Sequence, residues 1–344
     1  MKDYEIIWSR APLRLGLAGG GTDVAPYSDL YGGRVLNSTI NLYAYASIEP
    51  TNDGKITFES FDLGIKEKFS NSEYIAPKGR LALLKGVYNR IVNKYASSPL
   101  SFKLSTFVDA PPGSGLGTSS TLVVAILGAF VDWLGLPLGE YEIAHESYEI
   151  ERLDLRMSGG KQDQYAATFG GFNFMEFSDN NKVIVNPLRI RQETINTLEI
   201  SLMLYHIGTS RLSSKIIDSM KKNVDGNNEI SLEALHLVKK HAIMMKESIL
   251  TSNLQNFSKI MNEGWESKKR VAHGITNSRI DKIYNSALEA GASAGRISGA
   301  GGGGFMLFFC EPKMRYKVID MLGKLGGQIR GYNFVKTGLI TWRI

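Results

Sequence analysis

A single cysteine, Cys310, stands among 344 residues. One thiol cannot close an internal disulfide or supply a cysteine-based metal site. Its setting in the apolar run Phe305–Cys310 predicts a buried structural thiol. Histidine is also scarce. The five, at positions 145, 206, 236, 241 and 273, have no metal-ligand spacing, and His145-Glu146 lacks the second histidine of an HExxH helix. There is no Gly-x-Ser-x-Gly elbow, so hydrolase chemistry has no support. Long hydrophobic runs are missing too. The longest, Leu122–Val131, has ten residues, about half of what crosses a bilayer. The opening MKDYEIIWSR does not read as a secretory signal. The chain is therefore expected to be cytoplasmic, with no membrane partner. Nor does charge of one sign accumulate: 40 Lys+Arg against 34 Asp+Glu leave +6. The densest basic spots, Lys221-Lys222, Lys239-Lys240 and Lys268-Lys269-Arg270, are short and carry no interleaved aromatics, so no nucleic-acid partner is expected. A mild positive excess suits anionic small molecules.

With 43% apolar and 22% charged residues, the composition is that of an ordinary globular protein long enough for two domains. Patterning predicts a strand over residues 4–18, strands over 34–50 and 55–69, a helix over 81–95 and a strand over 101–108. A buried helix over 119–134 and an amphipathic one over 139–154 follow. Residues 187–197 read as a connection, which divides the chain into domains 1–192 and 193–344. The second half is predicted to hold a strand at 199–207 and helices near 210–222, 231–251, 253–262 and 278–291. A strand at 304–310, a helix at 313–325 and a closing strand near 332–343 complete it. The order is mixed α+β in both halves, without repeats.

Glycine is what the chain does concentrate. DAPPGSGLGTSSTL, Asp109–Leu122, places Gly113, Gly115 and Gly117 just before a predicted helix. Without Cβ atoms such a loop brings backbone N–H groups close to an anion, and the positive end of the helix dipole adds to the attraction. Taken alone, it also fits a strand–turn–helix junction with Ser/Thr capping. It is not a Walker A loop, because no lysine follows the last glycine. A second stretch, Arg14 to Gly19-Gly20-Gly21-Thr22-Asp23, is a strand entering a tight turn that ends on a carboxylate. A third couples Glu151-Arg152 to Ser158-Gly159-Gly160-Lys161-Gln162-Asp163-Gln164-Tyr165, two carboxylates able to converge on one site. Phosphoryl transfer asks for such a pair: one to hold a cation, one to accept the incoming hydroxyl proton. A fourth, Gly299-x-Gly301-x-x-Gly304, satisfies the dinucleotide fingerprint, but an apolar strand follows where a helix is required, so a Rossmann site is rejected.

Pro112-Gly113-Ser114-Gly115-Leu116-Gly117-Thr118-Ser119-Ser120 resembles the second motif of the GHMP kinase superfamily, PxxxGLGSSAA. Arg14, Thr22 and Asp23 match its first motif, and Gly299–Gly304 is similar to its third. The resemblance implies a two-domain α+β fold, with a ribosomal protein S5 domain 2-like first half and a ferredoxin-like second half. It implies ATP on residues 112–120, Asp163 as catalytic base, Arg14 beside the γ-phosphate, and Mg²⁺ on Ser119 and Glu151, with Glu149 the nearby rival. The Glu-to-Asp separation is one residue longer than in mevalonate kinases of this superfamily. Gly-Gly-Gly stands where galactokinase-type members carry Gly-Glu-His, which argues against galactose. The phrase Gly160–Ala167 and Trp265-x-x-Lys268 look like the sugar-kinase branch acting on D-glycero-D-manno-heptose 7-phosphate at its anomeric hydroxyl. Gly19, Gly20, Gly21, Thr22, Asp23, Gly301 and Gly302 would line that sugar-phosphate pocket. Lys161, Arg211, Lys268 and Lys269 are candidates for its phosphate, though each reads more readily as a solvated charge, and Trp265 as core. Another sugar (fucose, a uronic acid, an unphosphorylated heptose), a silent sugar sensor, and a homo-oligomer all stay open at this level.

Overall fold

The computed structural model describes residues 5–208 and 213–344. The first half runs β1 (Ile7–Ala18), α1 (Tyr27–Tyr31), β2 (Gly33–Pro50), β3 (Lys55–Ser60), β4 (Ile65–Ser70), α2 (Ala82–Lys94), β5 (Phe102–Val108), α3 (Thr118–Leu134) and α4 (Glu140–Glu149). A π turn at Ile150–Asp154, α5 (Gln162–Phe169), β6 (Phe172–Phe177) and β7 (Val183–Pro187) close it. Then come α6 (Gln192–Ser201), β8 (Leu202–His206), α7 (Ser213–Asp225), α8 (Glu229–Leu250), α9 (Leu254–Lys269), α10 (Ser278–Glu289), β9 (Ala294–Ile297) and β10 (Phe305–Phe309). A 3₁₀ turn leads into α11 (Arg315–Lys324), β11 (Gln328–Arg330) and β12 (Ile340–Arg343).

One sheet has the order β12-β1-β2-β5-β3-β4, with β6 and β7 branching from the far end of the long β2. The second is antiparallel, β11-β8-β10-β9. The two are tied by a shared core. Along β8 and β10, Leu202, Leu204, Phe305, Leu307 and Phe309 face the core that contains β1, α3 and α9, while Met203, Tyr205, Met306 and Phe308 face the core of α7, α10 and α11. Burial on both faces explains why FMLFFC is a continuous apolar run rather than an alternating one.

Three expectations are corrected. Residues 192–201 form helix α6 rather than a connection. Buried Thr194 and Leu198 sit four residues apart on its inner face. The strand expected over 55–69 is the hairpin β3–β4, turned at Asp62-Leu63-Gly64. The closing strand β12, counted with the second half, pairs with β1, stacking Trp342 on Trp8 at 6.1 Å. Gly128 of α3 admits that return: a Cβ there would lie 2.7 Å from the Leu339 side chain.

Candidate active site

The site lies where three glycine-rich turns meet in a cleft of about 260 Å³. Helix α3 starts on Gly117, whose left-handed backbone (φ 79°) is glycine's own, and no side chain caps it. Uncapped first-turn N–H groups and the dipole of a 17-residue helix therefore face the cleft beside Thr118, Ser119 and Ser120. Gly115 and Gly299 interlock: a Cβ on Gly115 would lie 2.4 Å from the Ser298 oxygen, and one on Gly299 2.9 Å from Gly115 Cα. The third glycine stretch thus holds the 113–117 loop by backbone packing, reinforced by Phe305 N–H donating to the Ser114 oxygen at 2.9 Å.

Arg14 reaches this loop from β1, where the pairing with β2 slips between Pro12 and Arg14 and again between Gly16 and Ala18. Such bulges re-aim side chains next to sites. Arg14 is 3% exposed. Its Nε donates to Asp163 Oδ1 at 2.7 Å and its Nη1 to the Gly115 oxygen at 2.6 Å. Asp163 stands in the first turn of α5 with Gly117 against its carboxyl; a Cβ on Gly117 would lie 3.4 Å from Oδ2. Asp163, Arg14 and the glycine loop before α3 are one connected unit.

Glu151 is buried in the π turn and lines the cleft, accepting from Gln164 Nε2, which also donates to Ser120 Oγ at 3.1 Å. Its nearest cation, Arg152 Nη1, is 3.7 Å away. The rival Glu149 points elsewhere, to Arg90 at 2.9 Å and His145 at 3.3 Å. Glu151 sits in a π turn that closes i to i+5, Leu155 N–H donating to the Ile150 oxygen at 3.0 Å.

The other expected residues lie at different depths around the cleft. Asp23 is 1% exposed and accepts from Gly21 N–H and Gln162 Nε2 on Oδ1, and from Lys161 N–H and Gln162 N–H on Oδ2, all at 2.9–3.1 Å. A carboxylate has about four acceptor positions, so Asp23, which lines the cleft, anchors the start of α5. Thr22 is fully buried and ties the turn to the Arg34 oxygen. Gly19 packs under that same oxygen, while Gly20 and Gly21 line the cleft. Lys161 is buried away from the cleft lining, 3.4 Å from Asp29 and over the Tyr148 ring. Pro112 is exposed, and Ser114 and Leu116 are buried beneath the loop; none of the three lines the cleft. Gly301 and Gly302 pack on Ile275, and Gly299 and Ala300 take the lining place. Lys269 pairs with Glu266 at 2.7 Å, and Trp265 is core. Arg211 lies outside the described residues.

Lys268 does enter the cleft. It is 4% exposed, donates from Nζ to the Gly20 oxygen at 2.6 Å, and burial pushes its pKa down to about 8, with Arg296 adding to the fall. Arg152, whose guanidinium donates to the Gly160 oxygen, and the α7 side chains of Ile216 and Met220 complete the walls. The sequence reading missed these, along with Gln162, Gln164 and Arg296. The first two glutamines flank Asp163, the one signal that could have drawn attention to them.

Residues 82–171 match the family model described as GHMP kinases N terminal domain, and residues 245–327 that of GHMP kinases C terminal. The chain is 48% identical over 338 residues to D-glycero-alpha-D-manno-heptose 7-phosphate kinase of Campylobacter jejuni, covering 98% of this chain and 99% of that one. A solved D-glycero-D-manno-heptose 1-phosphate kinase from Bacteroides thetaiotaomicron is 45% identical with a TM-score of 0.84, covering 98% and 99%. Galactokinase of Lactococcus lactis, solved with galactose, shares the fold at a TM-score of 0.73 and 17% identity, covering 97% and 95%.

Proposed function

This chain belongs to the GHMP kinase superfamily and is an ATP-dependent kinase, and on that premise we propose that it phosphorylates the anomeric hydroxyl of D-glycero-D-manno-heptose 7-phosphate. The product, a heptose 1,7-bisphosphate, would feed nucleotide-activated heptose and surface polysaccharide synthesis in the cytoplasm. The observation that carries the chemistry is the Arg14–Asp163 pair set against the uncapped start of α3.

In this reading residues 1–192 carry the phosphate loop and the base, and 193–344 close the acceptor side with α7 and α9. The N–H groups of the 113–119 loop and α3 hold the triphosphate. Arg14 fixes Asp163 Oδ1 and leaves Oδ2 to take the proton of the sugar's O1–H. O1 bonds to the γ-phosphorus as the bond to the β,γ-bridging oxygen breaks, and that oxygen leaves with the electron pair on ADP. Arg14, held also by the Gly115 oxygen, lies where charge develops and costs little reorganisation. Ser119 and Glu151 fit a magnesium ion: both are hard oxygen donors on the cleft, and Glu151 is a buried carboxylate whose nearest cation, Arg152 Nη1, is 3.7 Å away, beyond hydrogen-bond reach. When bound, the ion supplies positive charge that screens the phosphates.

The test is ADP release with heptose 7-phosphate, free heptose, galactose and fucose, and ³¹P NMR of the product. The relatives' names place phosphate at C7 in one and C1 in the other, so the position must be read. We expect selective turnover with a new anomeric phosphate. Asp163→Asn should lower kcat by about 10²–10⁴ while nucleotide binding persists. Near-normal turnover in that variant would remove Asp163 as base.

A further inference from the structure

We propose that Lys268, backed by Arg296, is the seat of the acceptor's own phosphate and the residue that separates a phosphorylated sugar from a neutral one. This rests on the kinase reading above and names its specificity determinant. Four cations, Arg14, Lys161, Lys268 and Arg296, are each less than 5% exposed. Arg14 pairs with Asp163 and Lys161 with Asp29, whereas Lys268 and Arg296 have no carboxylate within ion-pair distance among the described residues. Arg296 donates only to backbone, the Leu17 and Ile297 oxygens. Lys268 donates to the Gly20 oxygen. The one acid facing it, Asp23, has its acceptor positions filled by four other donors. Buried charges are ordinarily paired, and here an anion brought in by the acceptor completes the balance.

The backbone is shaped to admit the ammonium. Gly21 has φ 104°, and a Cβ there would lie 2.7 Å from Lys268 Nζ. The Gly-Gly-Gly turn therefore does more than enlarge a pocket: any side chain at position 21 would displace the lysine head. Its placement also suits a sugar phosphorylated at the end opposite its reacting hydroxyl. Gln162 and Asp163 are adjacent in the first turn of α5, so their side chains diverge. Asp163 turns to Arg14 and the 113–119 loop, and Gln162 turns to Asp23 beside Gly20, the acceptor of Lys268. The acceptor spans these two, its hydroxyl at Asp163 and its phosphate at Lys268.

The experiment compares kcat/KM for heptose 7-phosphate with that for free heptose in the wild type, Lys268→Met, Lys268→Arg and Arg296→Met. We expect the ratio to fall about thirtyfold in Lys268→Met, the size of a lost charge-assisted contact, mainly through KM for the sugar phosphate. Lys268→Arg recovers part of it, and Arg296→Met, acting through Lys268, loses less. Calorimetry without nucleotide at pH 8, where the sugar phosphate is already a dianion, adds a readout that a structural role would not move. In two buffers of different ionisation enthalpy the wild type takes up a fraction of a proton on binding, and folded Lys268→Met takes up none. The groups facing Lys268 are Asp23 from the glycine turn and Arg296 from β9. A selective wild type whose ratio survives in Lys268→Met, or whose loss falls on KM for ATP, overturns this assignment and leaves the kinase reading intact. A wild type that turns over only neutral sugars overturns the heptose phosphate acceptor itself.

Discussion

Removing the charge of Lys268 should stabilise the protein when no ligand is bound. Its pKa falls from 10.5 to about 8, burial being the main cause and Arg296 the second, with Asp23 opposing. At about 1.4 kcal/mol per pH unit, holding this charge in the folded state costs on the order of 3 kcal/mol. Lys268→Met removes that cost, keeps a flexible side chain of similar length, and loses one hydrogen bond to the Gly20 oxygen worth about 1 kcal/mol. The net expectation is about 2 kcal/mol of added stability at pH 7, read by urea unfolding. The pH dependence follows from linkage. Between about pH 8 and 10.5 the unfolded chain keeps the Lys268 proton that the folded chain has released, so wild-type stability rises with pH across that window. Below it, both states are protonated and the cost is fully present. The gap between Lys268→Met and wild type should therefore close as pH is raised through the window. A variant at least 1 kcal/mol less stable at pH 7, or a gap indifferent to pH, would refute the reasoning.

Gly160→Ala is expected to disturb the anchor of α5, because its Cβ would stand 1.9 Å from Asp23 Oδ2. A loss of a few kcal/mol in urea unfolding, with turnover falling alongside, is the expected result, and wild-type stability would show that Asp23 can move freely. Gln164→Leu takes away the amide that holds Glu151 and Ser120. Supporting groups of this kind are worth about 10–100-fold in metal affinity, so Mn²⁺ titration of the nucleotide complex by electron paramagnetic resonance should show weakened binding, and unchanged affinity would place the metal elsewhere. Gly117→Ala forces a side chain into a left-handed backbone at about 1 kcal/mol and presses it against the Asp163 carboxyl, 3.2 Å from Cγ. We expect kcat to fall more than stability does, and stopped-flow ADP release beside thermal unfolding will separate the two.

How much of this could be read from the chain alone depends on how local each cause is. The glycine loop before α3, the rejection of a dinucleotide fold at Gly299–Gly304, the buried Cys310 and the core place of Trp265 follow from neighbours in sequence: a turn that needs glycine, a strand following where a helix would have to stand, apolar runs. The resemblance in motifs carried the family. Helix α6 escaped because its apolar signal is only a few residues wide and its burial against the β8 region comes from tertiary packing. The return of β12 to β1 escaped because pairing between residues more than 300 positions apart leaves no local mark. The sequence determined which residue types were available, two carboxylates, an arginine and a cluster of lysines around glycine turns. Only the tertiary structure decided that Asp23 would be saturated by the start of α5, that Glu151 rather than Glu149 would face the cleft, and that Lys268 rather than Lys161 would enter it. The reason is physical: a side chain's role is set by whichever donors, acceptors and charges the fold brings within about 3 Å, and those come from other parts of the chain.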